Sequence, residues 1–251
     1  MKQWQIIATA VAASLLASVA LVVGHDRNPS TASRPADTAT GHTTGSPPPT
    51  GAVPPPWQVD VQADGSSLAL GLRLSHEPGQ ASTLAQVRQR FGPDTQIAII
   101  AAPGEDGTLE AFVDPAQAGF IAGKLVITAE LPAATLRGMR ERAVKAEFME
   151  STTRKYVLRR EDEAQALQAR VVALNFIPQA ALDADVITAR FGQPAQRVRS
   201  NGHLEHFLYP QRGLDVVLDT EGKELLQYVA PRHFERLSAP LAASGASAAS
   251  R

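Results

Sequence analysis

Apolar positions along this chain fall into three regimes. From Ile6 to Val23 no charge interrupts the run, between His25 and Pro56 apolar residues recur with no period, and from Trp57 onward short apolar runs alternate with polar turns. Within the last regime Leu84, Val87 and Phe91 stand at i, i+3 and i+7, and Val186, Ile187 and Phe191 share a face in the same way. That spacing predicts two short amphipathic helices. Each is closed by a glycine, Gly92 or Gly192, with Pro93 or Pro194 just beyond to prevent continuation. Ser82 or Thr83 ahead of the first, and Asp183 or Asp185 ahead of the second, can cap the free N–H groups.

The two helices end on the same triplet, Arg90-Phe91-Gly92 and Arg190-Phe191-Gly192, and further matches follow in the same order. Leu109, Glu110, Phe112 and Pro115 match Leu204, Glu205, Phe207 and Pro210, an alternating pattern that predicts a strand in each place. Gly119 aligns with Gly213, Gly123-Lys124 with Gly222-Lys223, and Pro132 with Pro231. The second stretch has the longer hairpin, through Asp219 to Gly222, flanked by strand-like Leu214 to Leu218 and Leu225 to Val229. Leu68 to Leu74 and Val171 to Ile177 supply a lead-in strand or hairpin to each helix. Recurrence of several short matches in order predicts a duplication. Each unit reads as a lead-in strand or hairpin, a short helix, three antiparallel strands and a closing helix. Between the units, Ala133 to Ser151 reads as a charged amphipathic helix with Leu136, Met139, Val144 and Phe148 as core contacts.

The fold class expected is α+β: two similar modules, each an antiparallel β-sheet with helices packed on one face, after an N-terminal transmembrane helix and a disordered linker. The expected boundaries are 1–24 for the anchor or signal peptide, 25–56 for the linker, 57–150 and 151–238 for the repeats, and 239–251 for a disordered tail. An eighteen-residue helix from Ile6 to Val23 rises about 27 Å, just enough for a hydrocarbon core of about 30 Å. Lys2 before the run and Trp4 at its edge place the N-terminus in the cytoplasm and the rest outside. A cleaved signal peptide, with Ser18 and Ala20 at small-residue positions, is the competing reading, and both export the chain. Pro47 to Pro49 and Pro54 to Pro56 stiffen a linker that buries no core.

Over Asp183 to Val229, the helix, its Gly-x-Pro turn, the aromatic-bearing strand and the hairpin resemble the SmpA/OmlA (BamE-like) envelope modules. Phe191, Gly192, Pro194, Phe207, Tyr209 and Gly222 carry that resemblance. Tandem helix-plus-sheet modules also look like the β-lactamase inhibitor protein architecture. Both resemblances imply protein binding across a sheet face, without chemistry.

Charge and composition narrow the partners. A net charge of -1 leaves no excess of cations to follow a phosphate backbone, so nucleic acid is not expected. Absence of cysteine excludes disulfides, thiolate metal sites, a Cys nucleophile and an N-terminal lipid acceptor. Gly119 to Lys124 is one residue short of a phosphate-binding loop, and Leu125 follows the lysine where magnesium requires Ser or Thr, so a turn between strands fits better. His203, Glu205 and His206 carry metal-ligating groups, but on a strand positions 203 and 206 point to opposite faces. His233 and Asp215 suggest part of a triad with a serine, yet no G-x-S-x-G elbow exists. No cofactor is expected, and no enzyme.

Tyr209 and Tyr228 are the aromatic interface candidates. Arg197, Arg199, His206, Tyr209 and Arg212 form an expected partner-binding patch, if one sheet face is open. The function expected is a non-enzymatic protein-binding or scaffolding module of the bacterial periplasm, tethered to the inner membrane and engaging another envelope protein. Secretion into the periplasm after signal cleavage is the alternative location. A sensor of a small ligand or peptide, with its pocket between the repeats, is the alternative function.

Overall fold

Glycine and proline stop both short helices where the spacing places them. In the computed structural model, which describes residues 55, 57–77, 79–149, 152–200 and 202–248, α1 spans Leu84–Phe91 and α4 Ala184–Phe191. Gly92 and Gly192 follow with φ of 99° and 78°, where a side chain would be strained. Thr83 N–H donates to Gln86 Oε1 at 2.9 Å at the start of α1, and Asp183 Oδ1 accepts from Val186 N–H at 2.7 Å at the start of α4. The expected anchor, and all of the expected linker except Pro55, lie outside the described residues, as do residues 249–251.

The chain opens with a three-stranded sheet of β1 (Asp60–Val61), β2 (Ser67–Ala69) and β3 (Leu72–Leu74). The remaining strands are β4 (Gln96–Ala101), β5 (Thr108–Ala118), β6 (Ile121–Glu130), β7 (Lys145–Phe148), β8 (Arg154–Val157), β9 (Arg170–Pro178), β10 (Gln196–Ser200), β11 (Leu204–Tyr209), β12 (Leu214–Asp219) and β13 (Leu225–Val229). They form one antiparallel sheet of ten strands, ordered β10-β11-β12-β13-β9-β6-β5-β4-β8-β7. The central strand β9 is an almost unbroken apolar run buried on both faces, as a middle strand must be. It pairs with β6 through Leu125↔Phe176 and with β13 through Phe176↔Leu226, joining the first and second meanders edge to edge.

Alternation sends successive residues to opposite faces. One face carries Ile99, Leu109, Ile127, Leu174, Phe176, Phe207, Val216 and Tyr228, and forms the main core. Four helices contribute to that core: α1, α2 (Ala133–Glu141) through Leu136 and Met139, α3 (Arg160–Ala166) through Ala166, and α4 through Ile187 and Phe191. The opposite face receives a fifth helix, α5 (Glu235–Ala248), where Phe234 and Leu237 pack on Ala173, Leu208 and Val229. The mixed α+β class and antiparallel pairing expected from the sequence are present. Helix α5 continues to Ala248, into the stretch read from sequence as a disordered tail.

The bridge between the units differs from expectation. Helix α2 stops at Glu141, and of its four expected core contacts only Leu136 and Met139 are buried, while Val144 is 69% and Phe148 74% exposed. Lys145 to Phe148 instead form β7 on β8, and β8 covers the edge of β4 through Ala98↔Val157 and Ile99↔Tyr156. Satisfying the backbone groups of β4 outweighs continuing the helical period. Arg142, just past α2, grips the buried Asp162 of α3, its Nε lying 3.0 and 2.9 Å from the two carboxylate oxygens.

The matched strand segments also differ. Leu109 lies in the main core and Phe112 on the opposite face, whereas in the second meander Phe207 lies in the core and Leu204 opposite. A slip of one residue exchanges faces in this way. Counted from the glutamine that opens each leading strand, the register runs Gln96↔Phe112↔Val126 in the first meander and Gln196↔Leu208↔Asp215 in the second.

Candidate functional site

Three neighbouring strands of the second meander bring together Ser200, His206 and Asp215. In the register of β10 with β11, Val198 faces His206 and Ser200 faces Leu204, so Ser200 and His206 share the face away from the main core. In the register of β11 with β12, Leu208 faces Asp215 and His206 faces Val217, which puts Asp215 on that face too. His206 Nδ1 lies 2.8 Å from Asp215 Oδ2, and its Nε2 lies 2.9 Å from Ser200 Oγ. Asp215 is 1% and His206 6% exposed, and Ser200 is half-buried at the end of the edge strand. Burial pushes the Asp215 carboxyl above the usual range, and the hydrogen bond from His206 opposes that shift. Its other oxygen, Oδ1, has no hydrogen-bond partner among the described residues.

The surroundings are apolar. Val126, Ile177, Val217 and Leu225 form a cluster on this face, with Phe112 and Leu204 packed against it. One cross-strand step from Asp215 stands Gln227, whose Nε2 donates to Asn175 Oδ1 at 3.2 Å. Chemically the chain of groups is a carboxylate, an imidazole and a hydroxyl in line, the order in which a base is oriented and a nucleophile activated.

The structure separates the expected basic and aromatic patch. Arg197 and Arg199 point to the core side of β10, at the sheet's end, where Arg197 Nε and Nη2 bind Glu205 at 3.1 and 3.0 Å and its guanidinium lies 4.5 Å from the centre of the Phe207 ring. Arg199 is the freest of the set, its side chain 81% exposed. Arg212 lies 5.9 Å from the Tyr209 ring. His206 stands on the other face, and Tyr209 is buried, its hydroxyl donating to Gly192 O at 2.9 Å and its ring tilted against Phe191. Tyr228 is buried as well, donating to Trp57 O at 2.8 Å. Neither tyrosine offers a contact surface, because each hydroxyl ties backbone from another segment into the core. Arg197, Arg199 and Arg212 remain as the accessible part.

The other sequence candidates disperse. Gly119 and Phe120 form the turn between β5 and β6. His203 pairs with Asp219 at 2.9 Å, which raises its pKa, and Glu205 turns to the arginines on the opposite side from His206. Asp215 takes His206 as its partner, while His233 stacks edge-on against His76 at 6.3 Å. Among the described residues no helix is long and apolar enough to cross a membrane. These three residues carry no local sequence motif, and only the strand register brings them together.

Comparison with protein-family models, with curated proteins and with solved structures finds no match to this chain.

Proposed function

We propose that this is a bacterial envelope protein, held in the inner membrane by its N-terminal apolar segment, whose periplasmic α+β region binds another envelope protein. The observation that carries the reading is the end of the sheet: β10 has no neighbouring strand beyond it among the described residues, and it presents Arg197 and Arg199 on one side. An unpaired edge offers main-chain hydrogen bonds to an extended segment, and guanidinium groups select an acidic one. The reading also takes the two meanders as diverged copies whose second strands differ by a one-residue register step. Kinship with SmpA/OmlA-like modules, which bind protein across a sheet, belongs to the same proposal.

The test is photocrosslinking in membranes from a probe residue placed at the exposed Gln196 of β10, with and without Arg197→Glu and Arg199→Glu on the same strand. Charge reversal is expected to lower crosslinking at least about tenfold while circular dichroism stays unchanged, because like charges across an interface slow association and cost several kcal/mol. Equal crosslinking in the reversed chain would remove β10 as the interface.

A further inference from the structure

We propose that Ser200 is an activated nucleophile that accepts acyl groups from esters of short apolar acids, with His206 as its base and Asp215 as the positioning residue. This activity goes beyond the binding role. Asp215 Oδ2 at 2.8 Å from Nδ1 holds the proton of the imidazole on that nitrogen, leaving the lone pair of Nε2 toward Ser200 Oγ at 2.9 Å. Both separations are those of a working base and nucleophile. Ser200, at the rim of the sheet, is the accessible member, while the base and the carboxylate are shielded beneath it. Leu204 lies across from Ser200, and Val198 and Val217 flank His206, so an acyl chain on Ser200 would meet aliphatic surface.

The ester and water are the only reagents consumed. Nε2 takes the Oγ proton as Oγ bonds to the ester carbonyl carbon. Collapse of the tetrahedral adduct breaks the bond to the alcohol oxygen, and Nε2 returns the proton to it. Water then attacks the acyl-serine with the same proton traffic, releasing the acid and restoring the hydroxyl. A hydrogen-bond chain serving only to satisfy buried groups would share the geometry and lack this reactivity.

Full-length protein is treated with a fluorophosphonate probe and, separately, with p-nitrophenyl butyrate. The expected result is an adduct mapped to Ser200 by peptide mass spectrometry, none in Ser200→Ala, and ester hydrolysis about 100-fold slower in Asp215→Asn, in line with general-base assistance. Labelling and hydrolysis should both fall in His206→Gln, which removes the group facing Ser200 Oγ. Asp215→Asn keeps the shape of the site, so it decides the matter if His206→Gln fails to fold. A folded chain that takes no label at Ser200, or that labels equally fast in Asp215→Asn, overturns the proposal. Crosslinking from position 196 is read on the same preparations, so loss of reactivity in a chain that still crosslinks removes the nucleophile and leaves the binding role standing.

Discussion

The two meanders, β4-β5-β6 and β10-β11-β12, each lay one face on the main core, and they differ in what they bury on the other. Laid in register, Ile100, Glu110 and Val126 of the first stand where the second has Ser200, His206 and Asp215. Both meanders follow a helix stopped by glycine, and both put a glutamine first in the leading strand. In the first, Thr108 Oγ1 donates to Glu110 Oε1 at 3.0 Å and Val126 stays apolar. In the second, a buried carboxylate requires the imidazole beside it. The face opposite the core thus differs between the two meanders, and the polar chain belongs to the second only.

The largest expected effect tests that dependence. His206→Leu leaves Asp215 buried without its hydrogen-bond partner, which costs about 3 kcal/mol. Thermal melting and denaturant titration read this as a fall in Tm on the order of 10 °C for a folded region of this size. Adding Asp215→Val, the residue type at Val126 in the first meander, should recover most of the loss, since an apolar pair of similar volume replaces a buried polar one at little cost. A double variant as unstable as the single one would mean that the two halves differ in more than this pair.

Acidity gives a smaller and more specific contrast. Burial raises the folded pKa of Asp215 above its unfolded value, so the folded chain holds that proton more tightly. Its contribution to stability is fully present below the unfolded pKa and is lost as pH rises through the elevated folded one. Asp215→Asn should therefore flatten this part of the stability profile on the acid side. Nothing comparable is expected at Val126, where no titrating group stands. Denaturant midpoints measured at several pH values check the sign, and a profile unchanged by Asp215→Asn would refute it.

Much of the fold was legible because local chemistry and tertiary structure agree. Gly92, Gly192 and the prolines after them set the helix ends, and the alternation in Leu204 to Tyr209 marks a strand. Facing was not legible, since the Leu-Glu-x-Phe pattern places an apolar residue on each side and is satisfied by either register. That ambiguity hid the site. Spacing alone leaves His206 in an open patch and His233 as a candidate imidazole for Asp215, because only the pairing of β10, β11 and β12 shows which imidazole meets the carboxylate. Within the patch, Tyr209 is committed to the Gly192 carbonyl, a contact that sequence spacing does not reveal.

The smallest expected effect lies at the other end of the sheet, where the helical reading of Ala133 to Ser151 fails. Had that helix continued, Val144 and Phe148 would be core residues, and changing either to serine would cost several kcal/mol. In the observed arrangement both are exposed, and Phe148 only lies against the Arg154 guanidinium, 4.3 Å from its ring centre. Val144→Ser should then shift stability by no more than about 0.5 kcal/mol, the usual range for a surface position. Phe148→Ser should cost about 0.5–1 kcal/mol through loss of the exposed cation–π contact. Leu136→Ser in the same experiment supplies the contrast, because it removes a side chain that belongs to the main core. If Val144→Ser proved as costly as Leu136→Ser, the edge formed by β7 and β8 would be wrong, and the two ends of the sheet would no longer differ in how they are covered.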